Sequence, residues 1–233
     1  MKKTLFTLAL VAASFAALAQ APPTAAPAVA AAPTDPYTSM MAATIKEMLS
    51  SGDGAAVQQA IDKFERVAAV RAADWLPRYY QAYGYVRLGF LTRDGDQQDK
   101  YFDRAQTALD QARKLPGADV SELSVVQAYL HQGRIMVSPM TRGMKYAALV
   151  SESLDLAEKA NPRNPRTYLV RGNDFKFRPK MFGGGAEAAR PWYDKAKAAF
   201  ETFAPASSIA PNWGRGQLTS ILKSYETPAA SAQ

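Results

Sequence analysis

The chain is built from segments in which apolar residues recur every three or four positions, which is the period of an amphipathic helix. Residues 55–71 are typical, with Val57, Ala60, Ile61, Phe64 and Val67 on one face. Nine segments of this kind follow one another between residues 35 and 227, and breaks rich in Gly, Pro, Asp and Asn separate them. No segment shows sustained two-residue alternation, so we predict an all-α protein without a sheet.

Two sets of positions repeat within the predicted helices. The first helices of three successive hairpins carry Tyr-x-x-x-Gly, formed by Tyr80 and Gly84, Tyr129 and Gly133, and Tyr168 and Gly172. The second helices carry a small-large-small set: Ala60, Phe64, Val67; Ala105, Leu109, Ala112; Val150, Leu154, Ala157; and Ala189, Tyr193, Ala196. Small residues let helices approach closely and large ones fill the remaining space, so stacked hairpins are predicted. A last helix with Leu218, Ile221, Leu222 and Tyr225 would close the stack, with Trp213 packed on the eighth helix.

These repeats resemble the tetratricopeptide repeat, which has an aromatic residue and a glycine in its first helix and a small-large-small pattern in its second. Residues 156–168, with Ala157, Pro162 and Asn164-Pro165, are the most similar. The resemblance implies a right-handed stack of about four helix-turn-helix hairpins plus a C-terminal capping helix, and binding of a protein or peptide on its concave face. The chain is also similar to helical-repeat proteins of the bacterial envelope, including the periplasmic repeat subunit that accompanies some TRAP transporters.

The repeats are longer than those of the tetratricopeptide family. Ala60, Ala105, Val150 and Ala189 are 45, 45 and 39 residues apart, against about 34 in that family. The additional residues fall between the two helices of a hairpin, in residues 92–98, 138–142 and 178–185. We expect these loops to emerge at one end of the stack, where they could form a second binding surface.

The N-terminus predicts export. Residues 1–19 combine Lys2 and Lys3 with a short apolar run and small residues before the expected cleavage point, a pattern typical of a signal peptide. Residues 20–34 are almost entirely Ala and Pro and are predicted to be a disordered spacer, and residues 228–233 a disordered tail. The repeat domain would occupy residues 35–227. We therefore expect a periplasmic or secreted protein with no membrane span in its mature chain.

Composition narrows the possible chemistry. The sequence has no cysteine, which excludes disulfides, thiolate catalysis and a lipid-modified cysteine. Its 28 basic and 21 acidic residues give a formal charge of +7, which falls to +5 without Lys2 and Lys3. These charges are spread along the chain, so no nucleic-acid partner is expected.

Few residues point to catalysis or to metal binding. His131 is the only histidine, and a structural position for it is favoured over contact with a ligand. Asp94, Asp96 and Asp99 crowd one loop, but a calcium-binding EF-hand needs an acid at its twelfth position, where Ala105 stands. We therefore predict a protein that is not an enzyme and has no catalytic residues, no metal and no cofactor.

One group of candidate binding residues comes from the repeat register. Tyr85, Arg134 and Asn173 each follow a repeat glycine, at a position that the tetratricopeptide resemblance implies to face the concave groove. An aromatic ring, a cation and an amide in a row could hold an extended peptide or a carboxylate. Arg171 could join Arg134 in lining a buried cavity.

A second candidate is the glycine-rich loop before the eighth helix. Free N–H groups of Gly184 and Gly185 could hold an anion at the start of that helix, with Arg178 and Lys180 nearby. The loop lacks the Gly-Lys-Ser/Thr ending and the preceding strand of a phosphate-binding loop, so a purely structural turn is the favoured interpretation.

Three functions stay open at the level of sequence. The repeat pattern favours a binding or scaffold module that recognises a protein or peptide partner through its concave face or its long loops. The first alternative is a periplasmic carrier of a small organic anion, associated with a transporter. The second is an envelope hydrolase, which would require paired carboxylates with raised pKa values in a cleft.

Overall fold

The computed structural model describes residues 35–226 as a stack of α-helical hairpins. The predicted signal peptide, spacer and tail (1–19, 20–34 and 228–233) lie outside the described residues. The helices are α1 (Pro36–Ser50), α2 (Gly54–Val70), α3 (Trp75–Leu91), α4 (Gly95–Ala112), α5 (Val120–Val137), α6 (Pro139–Ala160), α7 (Pro165–Phe177), α8 (Ala186–Thr202) and α9 (Arg215–Glu226). A short 3-10 helix, Lys180–Phe182, precedes α8. This range contains no strand, so the prediction of an all-α hairpin stack is confirmed.

Side-chain caps explain where most helices begin. An Asp or Asn side chain directly before the first turn accepts a hydrogen bond from a backbone N–H of that turn at Asp35, Asp53, Asp74, Asp94, Asp119 and Asn164. These bonds satisfy N–H groups that have no partner within the helix. The sequence predicts α6 from residue 142, whereas the structure begins it at Pro139. Proline suits the first helical position because its missing N–H has no partner to lose there.

The helices form two layers. The first helices of the four hairpins contact one another in the order α1, α3, α5, α7, and the second helices α2, α4, α6 and α8 pack against them. All twelve residues of the small-large-small sets are buried. A Cβ added to Gly133 would lie 2.2 Å from the Phe102 ring of α4, and one added to Gly172 would lie 2.5 Å from Tyr193 of α8. The repeat glycines are therefore sites of close contact between the layers.

The C-terminal segment takes a path that differs from the prediction. Trp213 precedes α9 rather than belonging to it. Its indole stacks on Tyr83 of α3 and Tyr129 of α5, so residues 203–214 return across the layer of first helices. Only then does the chain form α9, whose Tyr225 packs on α8.

Candidate functional site

A cavity lies where the C-terminal segment crosses the first-helix layer. Its volume is about 490 Å³, which is within the range usual for small-molecule sites. Tyr83, Arg87 and Phe90 of α3 are spaced by four and three residues and therefore share one face of that helix. The remaining lining residues come from α1, α3, α5 and the C-terminal segment: Leu49, Leu91, Tyr129, Asn212, Trp213, Gly214, Arg215, Gly216 and Gln217.

Aromatic rings form one wall of this cavity. The Trp213 ring lies 4.5 Å from that of Tyr83 and 6.0 Å from that of Tyr129, nearly parallel to both, with interplanar angles of 19° and 8°. Phe90 extends the wall, with its ring centroid 4.9 Å from that of Tyr129. We call these four residues the aromatic wall. Stacked rings present flat, polarisable faces that suit a flat aromatic ligand.

Two arginines supply positive charge at the same cavity. Arg87 donates hydrogen bonds to the Met48 and Ser51 carbonyls at the end of α1, and Arg215 donates one to the Phe200 carbonyl of α8. Neither guanidinium has a carboxylate partner within residues 35–226. A guanidinium bonded only to neutral carbonyls keeps its full charge for an anion.

The phenols of the cavity stay neutral at physiological pH. Burial raises the pKa of Tyr83 well above its ordinary value and raises that of Tyr129 as well. The Tyr129 hydroxyl accepts a hydrogen bond of 3.1 Å from the Gln217 side chain. No Asp or Glu lines this cavity in the part of the chain that the structure describes. The cavity is thus apolar on one wall and cationic elsewhere.

A buried polar network holds the Trp213 indole in place. Its Nε1 donates to the Tyr79 hydroxyl at 2.7 Å, and that hydroxyl donates to the Glu122 carboxylate at 3.1 Å. Arg166 and Asn164 also donate to Glu122. Burial raises the pKa of Glu122, and the Arg166 guanidinium opposes that shift by favouring the carboxylate. The network links α3, α5 and α7 to the C-terminal segment, and so fixes the geometry of the aromatic wall.

A second cavity, of about 500 Å³, lies between α1 and the same segment. It shares Leu49 and Asn212 with the first cavity and contains a single charged residue, Lys46. Its other lining residues are Ala42, Ile45, Ser50 and Ser208. The C-terminal segment therefore contributes lining residues to both cavities. The first cavity is the stronger candidate, because it alone combines stacked rings with cations.

The residues predicted from the repeat register do not line this cavity. Tyr85 donates to Glu65 of α2 and stacks on Tyr101 of α4. The other two also face second helices, since Arg134 pairs with Asp99 and Asp103 of α4, and Asn173 accepts a bond from Tyr193 of α8. Arg171 pairs with Asp155 and Glu158 of α6. The expected concave row is thus turned toward the second-helix layer, and a binding role for these four residues stays a prediction.

The glycine-rich loop folds back on itself. The N–H groups of Gly183, Gly184 and Gly185 donate to the carbonyls of Lys180, Pro179 and Phe175. Arg178 pairs with Asp174, while Lys180 is exposed. Gly183 and Gly185 have φ values of 75° and 107°, which favour glycine. These contacts support the structural interpretation of the loop, because the N–H groups expected to hold an anion already have partners.

The remaining sequence candidates occupy structural positions. His131 lies between Gln127 and Tyr146, on the α6 side of α5. Asp94 caps α4, and Asp99 accepts hydrogen bonds from Arg134 and Arg142. Within residues 35–226, no group of three His, Asp or Glu side chains could hold a metal ion.

Comparison with known proteins gives a match among solved structures. No protein-family model matches the chain, and no curated protein does. Among solved structures, it is similar to the HusA haemophore from Porphyromonas gingivalis, with a TM-score of 0.73 and 28% sequence identity. The match covers 84% of this chain and 97% of that chain. The similarity therefore extends over nearly the whole of the HusA structure.

Proposed function

We propose that this protein is a secreted carrier of a flat organic anion of the porphyrin class, with haem as the first candidate. The ligand would lie in the cavity beside the aromatic wall. The observation that carries the proposal is the pairing of stacked rings with Arg87 and Arg215 in one cavity. The similarity to a haemophore supports it independently.

The cavity matches the chemistry of such a ligand. A porphyrin has a large aromatic face, which can stack on the partly buried rings of Phe90 and Tyr129, and carboxylates at its edge, which Arg87 and Arg215 can bind. Tyr83 and Trp213 stack on each other and are 6% and 4% exposed, so they support these two rings from within the fold.

The structure favours binding through the ring and the carboxylates over binding through a metal. Tyrosine oxygen can ligate haem iron as phenolate, but burial raises the pKa of both Tyr83 and Tyr129 and so disfavours that form. His131 lies outside the cavity. We therefore expect metal-free protoporphyrin to bind about as tightly as haem.

The same cavity bears on the alternative functions. We propose that the protein binds its ligand without catalysing a reaction, and that its helices form a stack of the tetratricopeptide type. Residues 203–214 already occupy the first-helix face, where the Ile209 carbonyl accepts from Tyr80 and the Trp213 indole donates to Tyr79. An extended peptide on that face would have to displace them. A hydrolase would need carboxylates in the cleft, whereas the buried acids Glu122 and Asp174 are paired with Arg166 and Arg178. A small organic anion therefore suits the geometry better than either alternative.

The test is a titration of the purified protein with haem and, separately, with metal-free protoporphyrin. Trp75→Phe and Trp192→Phe together would leave Trp213 as the only indole, so quenching of its fluorescence reports binding at the aromatic wall. We expect saturable quenching, with absorbance changes that follow the same curve. Tyr129→Leu should weaken both ligands about tenfold, since loss of one stacking ring removes about 1–2 kcal/mol.

Matched variants separate the two candidate sites. Arg87→Gln and Arg215→Gln remove the cavity cations, while Arg171→Gln removes a cation on the second-helix side. Weakening by the first two and not by Arg171→Gln is expected. The opposite result would move the site to the residues predicted from the repeat register. Absence of saturable binding by either porphyrin would refute the proposal.

A further inference from the structure

Most of the exposed large hydrophobic side chains are concentrated at one place in the stack. Ten such residues are exposed within residues 35–226, and six of them fall in two short segments, residues 136–146 and 176–187. We call these six the Met/Phe patch: Met136, Met140, Met144, Phe177, Met181 and Phe182. Met140 and Met144 have 96% and 92% of their surface exposed. Single exposed apolar residues are common, but a group of six suggests a binding surface.

The two segments lie at the same end of the stack. α5 and α7 are neighbours that run in the same direction, because one returning helix separates them. The Gln132 side chain of α5 donates to the Val170 carbonyl of α7 at 2.8 Å, which puts these two positions at the same height. Met136 is one turn beyond Gln132, and Phe177 is two turns beyond Val170. The other four residues follow where the chain turns back into α6 and α8.

The patch is positively charged. Its two segments contain five cations and one acid, Glu187. Carboxylates of this chain pair with the two arginines. Arg142 donates to the Asp99 carboxylate at 2.7 and 2.8 Å, and Arg178 forms an ion pair with Asp174. The three lysines have no carboxylate partner in the described part of the chain: Lys145, Lys176 and Lys180.

We propose that the Met/Phe patch binds the surface of an anionic lipid membrane. The thioether and phenyl groups would enter the boundary between headgroups and acyl chains, and the lysines would contact lipid phosphates. None of the described helices is long and apolar enough to cross a membrane, so the contact would be peripheral. This surface is distinct from the aromatic wall, and the proposal does not depend on porphyrin binding.

The kind of charge favours lipid over a protein partner. Protein interfaces are enriched in Arg and depleted in Lys. Here the arginines are held by Asp99 and Asp174, and the cations left at the surface are lysines. Long lysine side chains suit a membrane surface because they bury their methylenes and keep their charge at phosphate level. Each lysine near an anionic surface contributes attraction that salt screens.

The test is co-sedimentation of the purified protein with vesicles. One set is an equal mixture of phosphatidylcholine and phosphatidylglycerol, and the other is phosphatidylcholine alone. We expect binding to the mixture, release by high salt, and little binding to phosphatidylcholine. Replacing Met140, Met144 and Phe182 by Ser should lower the partition coefficient at least about tenfold. Replacing Lys145, Lys176 and Lys180 by Gln should lower it about tenfold or more.

The control variants carry substitutions of the same type, Lys to Gln and an apolar residue to Ser, at positions away from the Met/Phe patch. Lys114, Lys159 and Lys197 are exposed and lie toward the other end of the stack, so their replacement by Gln is the charge control. Val70→Ser with Val120→Ser is the apolar control, at residues 80% and 51% exposed. Every substituted side chain is exposed except that of Lys176, which is half-buried, and unchanged circular dichroism would show that the fold is kept.

Two outcomes would overturn the proposal. The first is that the protein does not bind the anionic vesicles, or that the control variants lose as much vesicle binding as the patch variants do. The second is self-association of the protein that the patch variants abolish, without vesicle binding. That result would make the patch a contact between copies of the chain.

Discussion

Trp213 should be one of the most stabilising side chains outside the helices. It is 4% exposed, stacks on Tyr83 and Tyr129, and donates a hydrogen bond to Tyr79. Trp213→Ala would remove a large buried ring from between α3 and α5. Large-to-small substitutions of buried aromatic residues cost about 3–5 kcal/mol, of which the transfer of the ring and the cavity left behind are the two parts.

The hydrogen bond can be separated from the ring. Trp213→Phe keeps an aromatic ring but removes the N–H, so the Tyr79 hydroxyl loses a donor while it still donates to Glu122. A net loss of at least about 1 kcal/mol is expected, because the hydrogen bond is lost and the smaller phenyl ring also buries less surface. The difference between the two variants then measures the stacking and burial of the phenyl ring.

Urea unfolding monitored by circular dichroism gives both free energies. Trp192→Ala is the matched control, because Trp192 is only partly buried and stacks on a single ring, that of Phe175. We expect it to cost clearly less than Trp213→Ala. If Trp213→Ala changed the free energy of unfolding by less than about 1 kcal/mol, the C-terminal segment would not be held on the first-helix layer as described.

Two further predictions concern packing and pH. Gly133→Ala should cost at least about 1–3 kcal/mol in urea unfolding, because its Cβ would meet Phe102 at 2.2 Å; Gly143→Ala, with nothing within 4 Å, should be neutral or stabilising. Burial, with the charges of Arg113 and Arg134, lowers the pKa of His131 from 6.5 to about 4. As pH falls, the imidazole of His131 is therefore protonated in the unfolded chain before it is protonated in the folded one. The free energy of unfolding should rise from pH 4 to 6.5 by about 2 kcal/mol, after allowance for the partial exposure of the side chain. His131→Gln should remove that rise. The imidazole NMR signal of the only histidine would give its pKa directly; a value near 6.5 would contradict the buried position.

The sequence carries the architecture because the packing is local and periodic. Each small-large-small set lies on one helix, and its residues are buried against the neighbouring helices whatever the rest of the chain does. The repeat glycines could be found for the same reason, since a Tyr-x-x-x-Gly spacing places both residues on one face. Asp and Asn residues that cap helices allowed several helix starts to be predicted. The start of α6 was predicted three residues too late, because the helix begins at Pro139 and not at residue 142.

The cavity could not be predicted in the same way, because it depends on contacts between distant residues. Trp213 meets Tyr79 across 134 positions of sequence, and the Tyr80 hydroxyl meets the Ile209 carbonyl across 129. Register alone assigned the position after each glycine to the groove, whereas Tyr85 and Arg134 contact residues of the second helices, Glu65 of α2 and Asp99 of α4. The sequence nevertheless contains one indication of the cavity, on helix α3.

That signal is the placement of a cation within an aromatic stripe. Tyr83, Arg87 and Phe90 lie on one face of α3, and a charge amid buried rings costs free energy unless it has partners. Arg87 finds two carbonyls at the end of α1 and keeps an open side toward the cavity. A helix face that is aromatic and cationic at once is poorly suited to serve only as core, and it suits a ligand that is flat and negatively charged. The C-terminal segment adds a further ring and a second guanidinium to this cavity, Trp213 and Arg215, from the far end of the chain.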